Sequence, residues 1–154
     1  APSTSLEAGI ARIHDADRAF GPDEFLRGSR AAFEMIVAAF AAGDSGALRP
    51  LLSDEVFNNF SSAIKARTKA KETLETSLVG ITSAEIIEAD LQGRMASVTV
   101  KFISDQVNVT RDAAGEVVDG DPATVTPVTD IWTFARDTRS RDPNWTLVAT
   151  RSPH

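Results

Sequence analysis

The hydropathy period changes once along the chain, and that change limits the fold more than any other feature. Up to about Lys71 the apolar residues recur at the three-to-four spacing of a helix face. From Thr73 onward they alternate with period two. Helices followed by an unbroken run of strands give an α+β fold, because a parallel α/β sheet needs the two element types to alternate. With 154 residues the chain has the length of one domain. It can bury a substantial core without metal or disulfide support.

The helical half divides at its caps. Thr4 and Glu7 have capping-box spacing. Leu6, Ile10, Ile13 and Phe20 then form one apolar stripe, and Gly21-Pro22 is expected to end this helix through a left-handed glycine. A second helix is expected from Asp23 to Ala42, with Phe25, Phe33, Ile36, Val37 and Phe40 on one face and Ser29 as its small polar member. Gly43 is its C-terminal cap. Asp44 opens a short helix to Leu48, and Ser53 caps a third long helix that turns Val56, Phe57, Phe60 and Ile64 inward.

In the second half, Leu78 to Ala89 is rich in strand formers and Gln92-Gly93 reads as a turn. Val98, Val100 and Phe102 alternate with Ser97, Thr99 and Lys101. Past Phe102 the apolar set moves to Ile103, Val107 and Val109, a change of parity that predicts a β-bulge near Ser104. Turns are expected at Asp112–Gly115 and Asp119–Pro122, with strands over Val125–Ala135 and Trp145–Thr150. Long bulged strands curve, so the expected product is a curved antiparallel sheet closed by helices: a cone with an apolar interior.

Composition narrows the chemistry. There is no cysteine, which removes disulfides, thiol catalysis and thiolate metal sites. Only two histidines occur, and His154 is the last residue, so neither a metal site nor a cofactor is expected. The net charge of −6 opposes nucleic acid and anionic lipid. The most apolar stretch, Ala31 to Ala42, is broken by Glu34 and is too short for a membrane span. No signal peptide is visible. The chain opens Ala1-Pro2-Ser3 without a methionine and looks trimmed, so an upstream segment, a membrane anchor included, would lie outside this sequence.

The strand and turn Val128-Thr129-Asp130-Ile131-Trp132-Thr133-Phe134-Ala135-Arg136-Asp137, with Ser140-Arg141-Asp142-Pro143-Asn144-Trp145-Thr146-Leu147-Val148 after it, resembles the closing motif of the Tim44-like domain family. The helix Glu24-Phe25-Leu26-Arg27-Gly28-Ser29-Arg30-Ala31-Ala32-Phe33 resembles that family's Phe-Leu-x-Gly-Ala-x-x-Ala-Phe helix, with Ser29 where alanine is frequent. Gly43-Asp44, Leu48 to Ser53 and Val56 to Ile64 add to the likeness, which covers about Asp23 to Arg151. The resemblance implies a nuclear-transport-factor-like (NTF2-like) or cystatin-like cone. Its mitochondrial members are scaffolds of the inner-membrane import motor that recruit a heat-shock chaperone. Its bacterial members usually follow a membrane anchor, and this short chain looks more like those. The division expected is residues 1–21 as an amphipathic lead-in helix and 22–154 as the Tim44-like domain. The resemblance further implies association with the inner membrane, with the domain on the cytoplasmic side.

Four groups of residues are candidates for function. The stripe Leu6, Ile10, Ile13 and Phe20 could meet a membrane or a partner, or pack on its own domain. Its segment carries Glu7, Asp15 and Asp17 against Arg12 and Arg18, not the basic face that anionic lipid favours. Lys65, Arg67, Lys69 and Lys71 form a positive run in an acidic chain. Of these, Lys65 and Lys69 are taken as candidate membrane or partner contacts, the plainer reading being a solvated helix end worth about 0.3–1 kcal/mol per cation. Asp130 shares the parity of Val128, Trp132 and Phe134. It either pairs with Arg30 or Arg136 or sits desolvated, as a general base would. The aromatic and aliphatic set Phe33, Val37, Phe40, Phe60, Val128, Trp132 and Phe134 would line an apolar pocket, or simply form core.

The expected function is therefore a non-enzymatic scaffold or adaptor in protein translocation or inner-membrane maintenance. It would bind membrane lipid, a membrane protein complex, a chaperone or a translocase partner through an apolar pocket, and no nucleic acid. Two alternatives stand beside it. One is a cone-fold isomerase or hydrolase acting on a small hydrophobic substrate, with Asp130 as base. The other is a structural module that forms a homodimer through its outer sheet face. An enzyme calls for a closed pocket and an unpaired Asp130; an adaptor calls for an open groove and a paired one.

Overall fold

The computed structural model describes residues 5–152. Thr4 of the expected capping box and His154 lie outside them. Four helices precede the strands: α1 (Ser5–Ala16), α2 (Pro22–Ala42), α3 (Ser45–Leu48) and α4 (Asp54–Lys69), with a single 3-10 turn at Arg49–Leu51. The strands β1 (Thr73–Gln92), β2 (Met95–Arg111), β3 (Val117–Gly120), β4 (Thr126–Asp137) and β5 (Thr146–Arg151) form one antiparallel sheet in the order β1-β2-β4-β5. β3 is a short, exposed strand folded back on the end of β2. It was not expected, because the sequence there reads as turn. The fold class is α+β.

The caps follow the local chemistry. Gly43 adopts a left-handed conformation (φ 70°), its N–H donates to the Phe40 carbonyl (3.1 Å), and the Asp44 N–H donates to the Ala39 carbonyl (2.9 Å). Asp44 caps α3 by accepting from the Ala47 N–H (3.0 Å), and Ser53 caps α4 by accepting from the Val56 N–H (3.3 Å). The expected end of α1 is corrected. The helix stops at Ala16, and Gly21 has φ −138° as the extended N-cap of α2. Between them the chain turns tightly, with His14 Nδ1–H donating to the Phe20 carbonyl (2.9 Å). Gly21-Pro22 starts a helix rather than ending one, as proline at N1 favours.

The predicted bulge is also relocated. β2 pairs with β4 in unbroken register from Met95↔Asp137 to Gln106↔Thr126. Three irregularities lie in β1, where Val79, Thr82 and Ile87 are skipped by the pairing with β2, and single ones lie in β3 at Val118 and in β5 at Val148. Each extra residue bends the strand that holds it, so β1 curls the sheet around the helices. The parity of β2 therefore holds from Ala96 to Gln106, and the burial pattern changes only past that point, where Asn108 is exposed and Val109 buried. Ala96, Val98, Val100, Phe102, Ser104 and Gln106 are all buried on the concave side, and the last two are polar.

The core lies between that concave face and the helices. α1 crosses β1 closely enough that a Cβ on Gly9 would stand 1.9 Å from the Ala89 carbonyl oxygen. Leu6 and Ile10 are partly buried against the core; Ile13 (0% exposed) and Phe20 (6%) are within it. The apolar side of this stripe is packed on the molecule's own sheet, the reading set beside a membrane or partner contact, with Leu6 and Ile10 keeping some exposed surface.

Candidate functional site

An aromatic wall divides the interior. Phe33 of α2 stacks on Phe102 of β2 (4.5 Å between centroids) and meets Trp132 of β4 (4.7 Å); Trp132 in turn meets Phe134 (6.4 Å). These contacts add about 0.5–1.5 kcal/mol per pair beyond the area buried. One hollow opens at each end of the wall.

The first hollow, of about 680 Å³, lies between the start of α2 and the β4–β5 connection. Its walls include Phe25, Ser29, Ala32, Phe134 and Trp145. Ser29 is buried and its hydroxyl donates to the Leu26 carbonyl (2.9 Å), so it is satisfied within its own helix. Arg136 closes the rim: it donates to Asp17 (2.7 Å) and to the carbonyls of Ser140 (3.2 Å) and Asp142 (3.1 Å).

The second hollow, of about 560 Å³, lies between α2, α4 and the far ends of β2 and β4. Val37, Phe40, Phe60, Val128 and Trp132 give it one apolar side, with Phe40 and Phe60 edge to face at 5.2 Å. Its sheet side is polar. Thr76, Gln106 and Asn108 line it, and they join Ser104 in a directed chain. The Thr76 hydroxyl donates to Asn108 Oδ1 (2.7 Å), Asn108 Nδ2 to Gln106 Oε1 (2.9 Å), and Gln106 Nε2 to Ser104 Oγ (2.9 Å). Each amide is thereby oriented, and the burial of Gln106 is offset. Asp130 stands at the same hollow, opposite Phe102 in the register. Burial pushes its carboxyl above the ordinary aspartate value. The arginine pairing expected for it does not occur, because Arg136 is committed to Asp17 and Arg30 is exposed.

Of the predicted pocket residues, Val37, Phe40, Phe60, Val128, Asp130 and Trp132 come together at this hollow. Phe33 is buried in the dividing wall, and Phe134 lines the other hollow. Thr76, Gln106 and Asn108 were missed, because the parity change past Phe102 suggested that apolar residues point inward there. Lys65 and Lys69 are exposed on α4. Arg67, between them, is withdrawn from the basic run: its guanidinium donates to the Phe40 (2.9 Å) and Ala41 (3.2 Å) carbonyls and lies 5.3 Å from the Phe40 ring centre. It caps α2 and fixes the aromatic edge of the hollow. The hollow is open to solvent, as an adaptor calls for, while Asp130 is unpaired among the described residues, as an enzyme calls for.

Comparison with known proteins gives three findings. The family model of the Tim44-like domain matches residues 6–152. A Caenorhabditis elegans protein named "Probable mitochondrial import inner membrane translocase subunit tin-44" is 25% identical over 143 residues, covering 90% of this chain. The match occupies 34% of that protein, so the chain spans about a third of its relative's length. Among solved structures, the intermembrane space region of the chloroplast protein ARC6 superposes with a TM-score of 0.57 at 9% identity, covering 82% of this chain and 95% of that one, which shows a shared fold. A Streptomyces avermitilis protein of the NTF2-like family superposes with a TM-score of 0.40 at 14% identity, covering 84% and 95%.

Proposed function

The chain belongs to the Tim44-like domain family, and from that premise we propose that it is a binding domain of a membrane-associated protein-translocation apparatus, working as a scaffold or adaptor. The relative's name places that protein at the inner membrane as an import subunit. Carried to this chain, the reading is association with an inner membrane, with the hollow between α2, α4 and β4 receiving an apolar part of a membrane component. The carrying observation is the hollow itself: about 560 Å³, open, with a continuous apolar side built by Val37, Phe40, Phe60, Val128 and Trp132. Its volume falls within the roughly 300–1,000 Å³ of ligand sites. No helix among the described residues is long and apolar enough to cross a membrane. In this reading the contact is made through the hollow and through exposed cations such as Lys65 and Lys69.

A second reading, a cone-fold enzyme with Asp130 as general base, is favoured by one observation: the carboxyl is desolvated and unpaired among the described residues. Flotation separates the two. With vesicles of mixed phosphatidylethanolamine and phosphatidylglycerol, the wild-type domain is expected to rise with the lipid, and Phe60→Asp, which places a charge at the mouth, to stay behind. Equal behaviour of the two proteins would overturn the adaptor reading of this hollow.

A further inference from the structure

The same hollow carries information about the head group of its occupant, beyond its being apolar. Two charged residues line it, Asp130 and Arg151. The Arg151 guanidinium is directed to Glu88, at 3.7 Å, and is largely exposed. Asp130 has no hydrogen-bond or ion-pair partner among the described residues and stands next to Val128 and Trp132 on the lining. The polar side of the hollow adds neutral amides and hydroxyls, already oriented by one another. The field deeper inside is therefore set by one carboxylate in a poorly hydrated place, because the one lining cation, Arg151, is largely exposed and turned to Glu88. An anionic head entering here meets like charge where screening is weak. A cationic head supplies the counter-charge that the fold leaves out, and its chain continues along Phe40, Phe60 and Trp132.

We propose that this hollow binds a single-chain amphiphile with an ammonium head, Asp130 being the counter-ion and the Val37–Phe40–Phe60–Trp132 side holding the chain. The proposal rests on the hollow being a receptor and adds the chemical class of what it receives. The unpaired, desolvated carboxyl is a cost in the empty protein, which the ammonium relieves. The neutral amide side accommodates the head's remaining hydrogen bonds.

Trp132 lines this hollow and Trp145 the other, so a Trp145→Phe protein reports on this site alone. Decylammonium, decanoate and decanol are titrated below their micelle-forming concentrations while Trp132 fluorescence is followed. Decylammonium is expected to bind at least about tenfold more tightly than decanoate. Asp130→Asn should abolish that preference, and Asp130→Glu should keep it; circular dichroism verifies that each variant is folded. Equal affinity of the parent protein for the two ions would overturn the ammonium assignment and leave the receptor standing. No Trp132 response to any of the three would overturn both.

Discussion

At Asp130 a carboxyl group is half-buried on the wall that also holds Trp132, and burial alone raises its pKa. The folded state therefore keeps this proton to higher pH than the unfolded chain does. The group's contribution to stability is then fully present in acid and declines as pH rises from the ordinary carboxylate range through the raised value. Asp130→Asn removes the decline without changing shape. It is expected to melt at a higher temperature than the wild type near neutral pH, with the gap closing in mild acid, as followed by circular dichroism. A lower melting temperature at neutral pH would mean that the carboxylate gains a partner in solution. Arg67 shows the opposite use of charge. By composition it belongs to a basic run, yet its three neighbours in that run do not share its role. It reaches two carbonyls in the last turn of α2, sharing that of Phe40 with the Gly43 N–H and adding a donor at Ala41. Nothing in the spacing of Lys65, Arg67, Lys69 and Lys71 distinguishes it, because the contact is made 26 and 27 positions away along the chain.

Among the elements, α1 and β1 show how close approach selects a residue. A glycine within a helix costs about 1 kcal/mol relative to alanine, so Gly9→Ala would ordinarily stabilise. Here the added Cβ falls 1.9 Å from the Ala89 carbonyl oxygen, and the helix must lift off the strand. Urea unfolding of Gly9→Ala is expected to show a loss of about 1–3 kcal/mol. A gain would mean that α1 rides further from the sheet than described. The helix faces themselves were legible: the stripes through Ile13, Phe33, Ile36, Val56 and Ile64 all turn inward. So were the caps at Gly43, Asp44 and Ser53, whose chemistry is local. The strand bends were not. Hydropathy parity shows where the pattern slips, and at Ser104 it slipped because polar side chains were kept inside, not because a residue was added. The true extra residues in β1 do step the parity, since the core-facing Leu78, Ile81, Ala84, Ile86 and Ala89 jump by three at Val79, Thr82 and Ile87, but Val79 and Ile87 are themselves apolar and mask the steps in a segment that reads simply as rich in strand formers. The polar half of the hollow was lost to view with that misplaced bulge, while its apolar half followed directly from periodicity.

At the scale of the molecule, the question is whether α1 belongs to the cooperative unit. Ile13 has no exposed surface, and the Arg136–Asp17 pair (2.7 Å) fastens the residue after α1 to the end of β4. The helix should then unfold only with the sheet. Native-state hydrogen exchange is expected to give the amides around Ile13 an opening free energy near that of β2. Markedly lower protection in α1 would reveal a detachable helix, able to expose Leu6, Ile10 and Ile13 to a membrane while the rest stays folded. The aromatic wall has a matching effect on the interior. With Phe33 and Trp132 packed between them, the two hollows are separate compartments, one rimmed by Arg136 and one containing Asp130.

The skipped residues of β1 have a consequence for how such a bowl diversifies. Val79, Thr82 and Ile87 all lie on the edge strand, while β2 and β4 march in step beneath the lining. Gaining or shedding one residue there would change the bowl's aperture without re-aiming a single side chain on its floor. Width and chemical character are thus independent dimensions of this bowl.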